Sequence, residues 1–146
     1  MLPKTFRFVA VNNTGQSLVF DSLARLSVTY EAWKFNSSGA LVYASEVTTG
    51  LDTFGSGETI TDGSASDFGT NQDNSSNLNL GINGTFEVTQ PNNSADGSVD
   101  LYYEYSTDGG TDFPGNRPEV DIEAELTLVA TITFAASGVK ATNFSI

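Results

Sequence analysis

The chain has 146 residues, with 18 Asp and Glu against 6 Lys and Arg, a formal net charge of −12, and neither histidine nor cysteine. Those absences exclude a Ser-His-Asp triad, a cysteine nucleophile, Cys/His zinc clusters, His- or Cys-ligated haem and a disulfide scaffold. At 38% hydrophobic and 11% aromatic residues the chain can still build a core, and its length suits a single domain over residues 1–146.

A chain this acidic is repelled by phosphate backbones and anionic lipid, so neither nucleic acid nor a membrane is an expected partner. No basic residue lies between Lys34 and Arg117, a span whose carboxylates run from Glu46 to Asp112. A solvated acidic face explains that span more simply than a cation-binding surface. Arg7 and Asn12-Asn13 interrupt any apolar leader, and no run approaches the roughly 20 apolar residues of a membrane helix. The chain reads as made in a cytoplasm and left unprocessed.

In chain order, Phe6, Phe8 and Ala10 alternate with Arg7, Val9 and Val11, a strand apolar on both faces. Phe20–Ala24 carries a weak signal for a helical turn. Leu26, Val28, Tyr30 and Ala32 form the next alternation, which switches phase at Trp33 and Phe35, and Leu41–Val47 reads as a further short strand. Thr48–Asn77 is a long Thr/Gly/Ser/Asp/Asn-rich excursion with Leu51, Phe54, Ile60 and Phe68 as isolated anchors. It packs either on its own domain or on a neighbouring subunit. Leu78, Leu80 and Ile82 before Asn83-Gly84, and Phe86 and Val88 after it, predict a hairpin. A three-residue loop keeps all five apolar residues on one face.

Val99, Leu101, Tyr103 and Tyr105 alternate next, and then Val120–Phe134 keeps a period of two throughout, the pattern of a long half-buried strand. Ala136-Ser137-Gly138 turns the chain into Val139–Ile146, where an apolar phase slip predicts a bulge near Thr142-Asn143. Short strands split by Gly/Asn/Ser/Asp clusters predict an all-β, single-domain antiparallel β-sandwich, either a jelly roll or an Ig-like sandwich.

Carboxylates are the remaining acid/base groups. Glu123 and Glu125 lie at i, i+2 on one strand face in this reading, at a spacing compatible with glycoside hydrolysis. Asp121 continues the row without any sign of a cleft, so a wet strand face explains it and no enzyme is expected. Asp62–Asp67 and Asn71–Asn74 supply oxygen ligands for calcium but match no EF-hand spacing; turn chemistry accounts for them, and no cofactor or metal is expected. Of the aromatics Tyr102, Tyr103, Tyr105 and Phe113, alternation leaves Tyr102 as the exposed candidate for a sugar platform.

Ser106, Asp108, Gly110 and Phe113 resemble the Asp-box pattern S-x-D-x-G-x-T-W, with Phe113 for Trp and Asp112 for Thr. The resemblance implies a structural turn: Asp108 accepts backbone N–H groups while Phe113 packs beneath. A single copy speaks against a propeller. More widely, residues 96–146, with the Tyr-Ser-Thr-Asp-Gly-Gly-Thr turn, Phe113-Pro114, the long alternating strand and a closing Asn143-Phe144-Ser145-Ile146, are similar to small acidic structural proteins of tailed-bacteriophage virions, of the head decoration or cement type. That resemblance implies a non-enzymatic protein made in the host cytoplasm and carried on the capsid surface of the virion. It would be a dimer or trimer that stabilises the head by contacts with the major capsid protein. The expected contact residues are Phe6, Phe8, Val9 and Val11 of the first strand, with Leu51, Phe54 and Phe68 of the excursion. The alternative is a carbohydrate-binding module of a tail fibre or baseplate.

Overall fold

The computed structural model describes residues 1–20, 26–51, 58–66, 69–116 and 122–146. The strands in chain order are β1 (Thr5–Asn13), β2 (Leu18–Phe20), β3 (Leu26–Phe35), β4 (Leu41–Tyr43), β5 (Val47–Gly50), β6 (Glu58–Ile60), β7 (Ser64–Ala65), β8 (Gln72–Asp73), β9 (Gly81–Gln90), β10 (Gly97–Ser106), β11 (Thr127–Phe134) and β12 (Gly138–Ser145); a single helical turn, α1 (Ile122–Glu125), precedes β11. One sheet runs β11-β10-β1, with β7 and β8 on the far edge of β1. The other runs β12-β9-β3, with β4 and β5 on the far edge of β3. Among the described residues these strands pair antiparallel throughout. The two sheets pack as an all-β sandwich, as the alternation predicts.

Phe8 sits at the centre with no exposed surface. Its ring lies 6.2 Å from that of Tyr103 in its own sheet, and 6.0 and 5.9 Å from those of Tyr30 and Phe144 in the opposite one. Burial pushes the Tyr30 phenol up to about 12, and its hydroxyl donates to Gln72 Oε1 at 2.6 Å. The other face of β1 is covered too: Val9, Val11 and Tyr102 form a second apolar cluster with Ala65 and Leu126. This is why β1 is apolar on both sides.

The excursion follows the intramolecular alternative. β7 and β8 pair with β1, and between them Ser66 N–H donates to Ala10 O at 2.7 Å and Gly69 N–H to Phe8 O at 2.8 Å. These bonds satisfy a strand edge that would otherwise be buried without partners. Phe20 ends β2, and the rest of the expected Phe20–Ala24 turn lies outside the described residues.

Four local expectations are corrected. Asn83-Gly84 is no hairpin loop: β9 runs straight through it, pairing with β3 and β12 along its length. Ile82, Phe86 and Val88 share one buried face, and Gly84, on the same phase, leaves room for the Phe144 ring; a Cβ there would lie 2.6 Å from Phe144 Cζ. Val120 and Asp121 lie outside the described residues, and the strand described starts at Thr127 after a helical turn, because Glu123, Ala124 and Glu125 are helix formers and poor strand formers. A bulge opposite Leu101/Tyr102 then skips Val129, so Leu128 pairs with Tyr102 and is exposed while Ala130, Ile132 and Phe134 are buried. No bulge occurs near Thr142-Asn143: β12 pairs continuously with β9, and Val139 and Ala141 simply face solvent. Finally, Leu41–Val47 is not one regular strand. Trp33 faces Tyr43 but Tyr30 faces Val47, three steps along β3 against four along the edge. That bulge turns Thr49 inward and leaves Leu41 and Tyr43 outward.

Candidate functional site

The Asp-box-like turn closes β10 with the bonds the motif implies. Asp108 Oδ1 accepts from Ser106 Oγ at 2.6 Å, Asp112 N at 3.0 Å and Thr111 N at 3.1 Å, and Gly110 N donates to Ser106 Oγ at 2.8 Å. The Asp112 amide first, then the Ser106 hydroxyl, hold the Asp108 carboxyl below its usual range. Gly109 and Gly110 take φ of 85° and 102°, which an L side chain rarely adopts. Phe113 is buried, with the Arg7 guanidinium carbon 4.1 Å from its ring centroid. Arg7 in turn pairs with Glu104. Here β10, β1 and the β10–β11 connection meet around a structural centre.

Beside this turn lies an open groove of about 740 Å³, lined by Tyr105, Thr107, Asp112, Glu125 and Thr127 among others. Tyr105 is the exposed ring. The expectation for Tyr102 is corrected: it is 5% exposed, because β10 is covered on both faces. Glu123 accepts from Asn13 Nδ2 at 2.7 Å and stands on α1, so the strand row with Glu125 does not exist; Asp121 lies outside the described residues. Asp73 accepts from Ser75 N at 2.7 Å, which is turn chemistry, whereas Asp62 accepts from Gly15 N at 2.7 Å and ties two distant loops together; Asp67 lies outside the described residues. Among the described residues, no group of three or more acidic side chains is placed to hold a metal ion.

The expected contact residues need a second correction. Phe6, Phe8, Val9, Val11 and Leu51 are at most 4% exposed, and their own chain covers them. Phe54 and Phe68 lie outside the described residues.

Among the described residues, three exposed large apolar side chains gather instead on the outward face of the β3–β4 hairpin. Asn36 builds its loop: Oδ1 accepts from Ser38 N and Ala40 N, both at 3.0 Å, and Gly39 takes φ of 80°. Asn36 N–H also donates to Ala40 O at 2.9 Å, so that pair closes a three-residue loop, 37–39, with glycine at the left-handed position. Trp33 then pairs across with Tyr43, and Phe35 with Leu41. Phe35, Leu41 and Tyr43 are 56%, 47% and 52% exposed. The Trp33 and Phe35 rings meet edge-on at 77°, so they do not form the coplanar platform on which a sugar ring stacks. These side chains leave an uncovered apolar patch on a sheet edge, a kind of surface that in proteins generally meets a partner. The phase switch at Trp33 and Phe35 was its signal in the sequence. Comparison with protein-family models, curated proteins and solved structures found no match to this chain.

Proposed function

We propose that the protein is a non-enzymatic structural protein of a tailed-phage virion, a cement or decoration protein. It would bind the major capsid protein at the outer surface of the head and stabilise the shell by protein–protein contacts. The virion assignment rests on the resemblance of residues 96–146. The observation that supports contact rather than chemistry is the outward cluster of Trp33, Phe35, Leu41 and Tyr43 on an edge hairpin. Small contacts repeated around a symmetric lattice add up to tight attachment. The test is attachment of the purified protein to heads that lack it. Phe35→Ser and Tyr43→Ser should lower occupancy about tenfold or more; undiminished occupancy by both would contradict the assignment of the surface.

A second reading, a carbohydrate-binding module of a tail fibre or baseplate, is favoured by exposed Tyr105 at the rim of a groove that sets Thr107, Asp112, Glu125 and Thr127 beside apolar Phe113, Pro114 and Leu126. Binding on a glycan array that disappears in Tyr105→Ala would replace the first reading with this one.

A further inference from the structure

The β3–β4 hairpin has a free edge whose hydrogen-bonding phase can be worked out. Asn36 N–H donates to Ala40 O at 2.9 Å, and Ala44 N–H donates to Ala32 O at 2.8 Å. Hydrogen-bonded and non-hydrogen-bonded pairs alternate along an antiparallel ladder. Lys34 and Val42 are therefore a hydrogen-bonded pair, whereas Phe35/Leu41 and Trp33/Tyr43 are not. It follows that Leu41 and Tyr43 turn their N–H and C=O groups away from β3. Among the described residues no strand pairs with that side of β4.

We propose that the occupant of this edge is a second copy of the chain, joined by antiparallel β4–β4 pairing about a two-fold axis at Val42. The register is self-complementary. Leu41 of each copy falls opposite Tyr43 of the other, and both residues carry free backbone donors and acceptors toward the partner, so each pair exchanges both of its bonds. On the outward face the same register sets Leu41 against Tyr43 across the axis. The two apolar patches then become one, and the edge-strand hazard is removed.

Charge favours this edge for self-association. Two chains of net charge −12 repel, yet residues 32–45 contain Lys34 and no carboxylate. β4 itself, Leu41-Val42-Tyr43, carries none of the lysine or proline that commonly guards an edge. The opposite side of the same sheet differs: Lys140 on β12 reaches Thr133 O at 2.5 Å, tying that side to β11.

The inference rests on the reading of this patch as a contact surface and adds a second copy on the backbone edge beside it. The test is analytical ultracentrifugation of the full chain over a range of concentrations, with far-UV circular dichroism as the folding control. Wild type should sediment at twice the 15.5 kDa chain mass. Leu41→Pro removes an N–H that β3 does not use, and Leu41→Lys sets like charges near the axis; both should keep the fold and sediment as monomers. A wild type that stays at 15.5 kDa throughout, or a dimer that survives both substitutions, overturns the proposal. A monomeric wild type whose attachment to heads still falls in Phe35→Ser overturns self-pairing alone and leaves the patch as the shell contact.

Discussion

Arg7 Nε lies 2.6 Å from Glu104 Oε1, with the Glu104 side chain wholly buried and that of Arg7 11% exposed. The second carboxylate oxygen of Glu104 accepts from Gly115 N at 2.7 Å, and Phe113 lies under the guanidinium. One pair thus ties β1, β10 and the start of the β10–β11 connection together. Glu104→Gln cannot serve both donors, since its NH₂ group must face either Arg7 or the Gly115 amide. Urea unfolding should show a loss of about 3 kcal/mol. The double variant Arg7→Met/Glu104→Met should recover only part of it, because the uncompensated charge is gone but the Gly115 amide is left without its acceptor.

Asp108 gives the turn a pH dependence of known sign. Its folded pKa lies below the unfolded value of 3.8, so its contribution is present above that value and lost as pH falls through the folded pKa. Hydrogen exchange should find the Thr111 and Asp112 amides protected from neutral pH down to about pH 4, with protection fading below it. Asp108→Ala should leave the Asp112 amide unprotected at every pH; equal protection in that variant would show that other groups hold the turn.

Gly84 is needed for space rather than for an unusual φ. A Cβ would lie 2.6 Å from Phe144 Cζ and 2.8 Å from Thr29 O, a backbone atom that cannot swing away. Gly84→Ala should lower stability by about 1–3 kcal/mol in thermal or urea unfolding. A hairpin loop at Asn83-Gly84 would tolerate that change, so an unaltered midpoint would contradict the continuous β9.

Phe35 and Tyr43 should separate stability from contact. Both are more than half exposed, so Phe35→Ser and Tyr43→Ser should leave the unfolding free energy within about 0.5 kcal/mol of wild type. Attachment should nevertheless fall. A large loss of stability would mean that the patch supports the fold instead.

The strands with one buried face were legible because their period of two is unbroken: Leu26 to Ala32 and Ala130 to Phe134 lie as their alternation predicts. Misreadings came where two local signals compete. Asn-Gly is a strong turn signal, yet at Asn83-Gly84 the packing of Phe144 and pairing on both sides prevail. Ile122 to Glu125 alternates as a strand would, but Glu and Ala favour helix. Tyr102 shows the limit of alternation as a guide to exposure, since period two tells which face a side chain takes but not whether another segment covers that face. The same limit misplaced the contact surface. The apolar outer face of β1 is covered by Ala65 and Leu126 from distant segments, whereas Phe35, Leu41 and Tyr43 stay uncovered.

The most direct test of the account is quantitative mass spectrometry of purified phage particles from the native source, measuring copies of this chain against the main shell protein. A cement or decoration protein should be present in numbers comparable to the shell protein. A few copies per particle would move it to the tail or a vertex, and absence from particles would contradict a virion role.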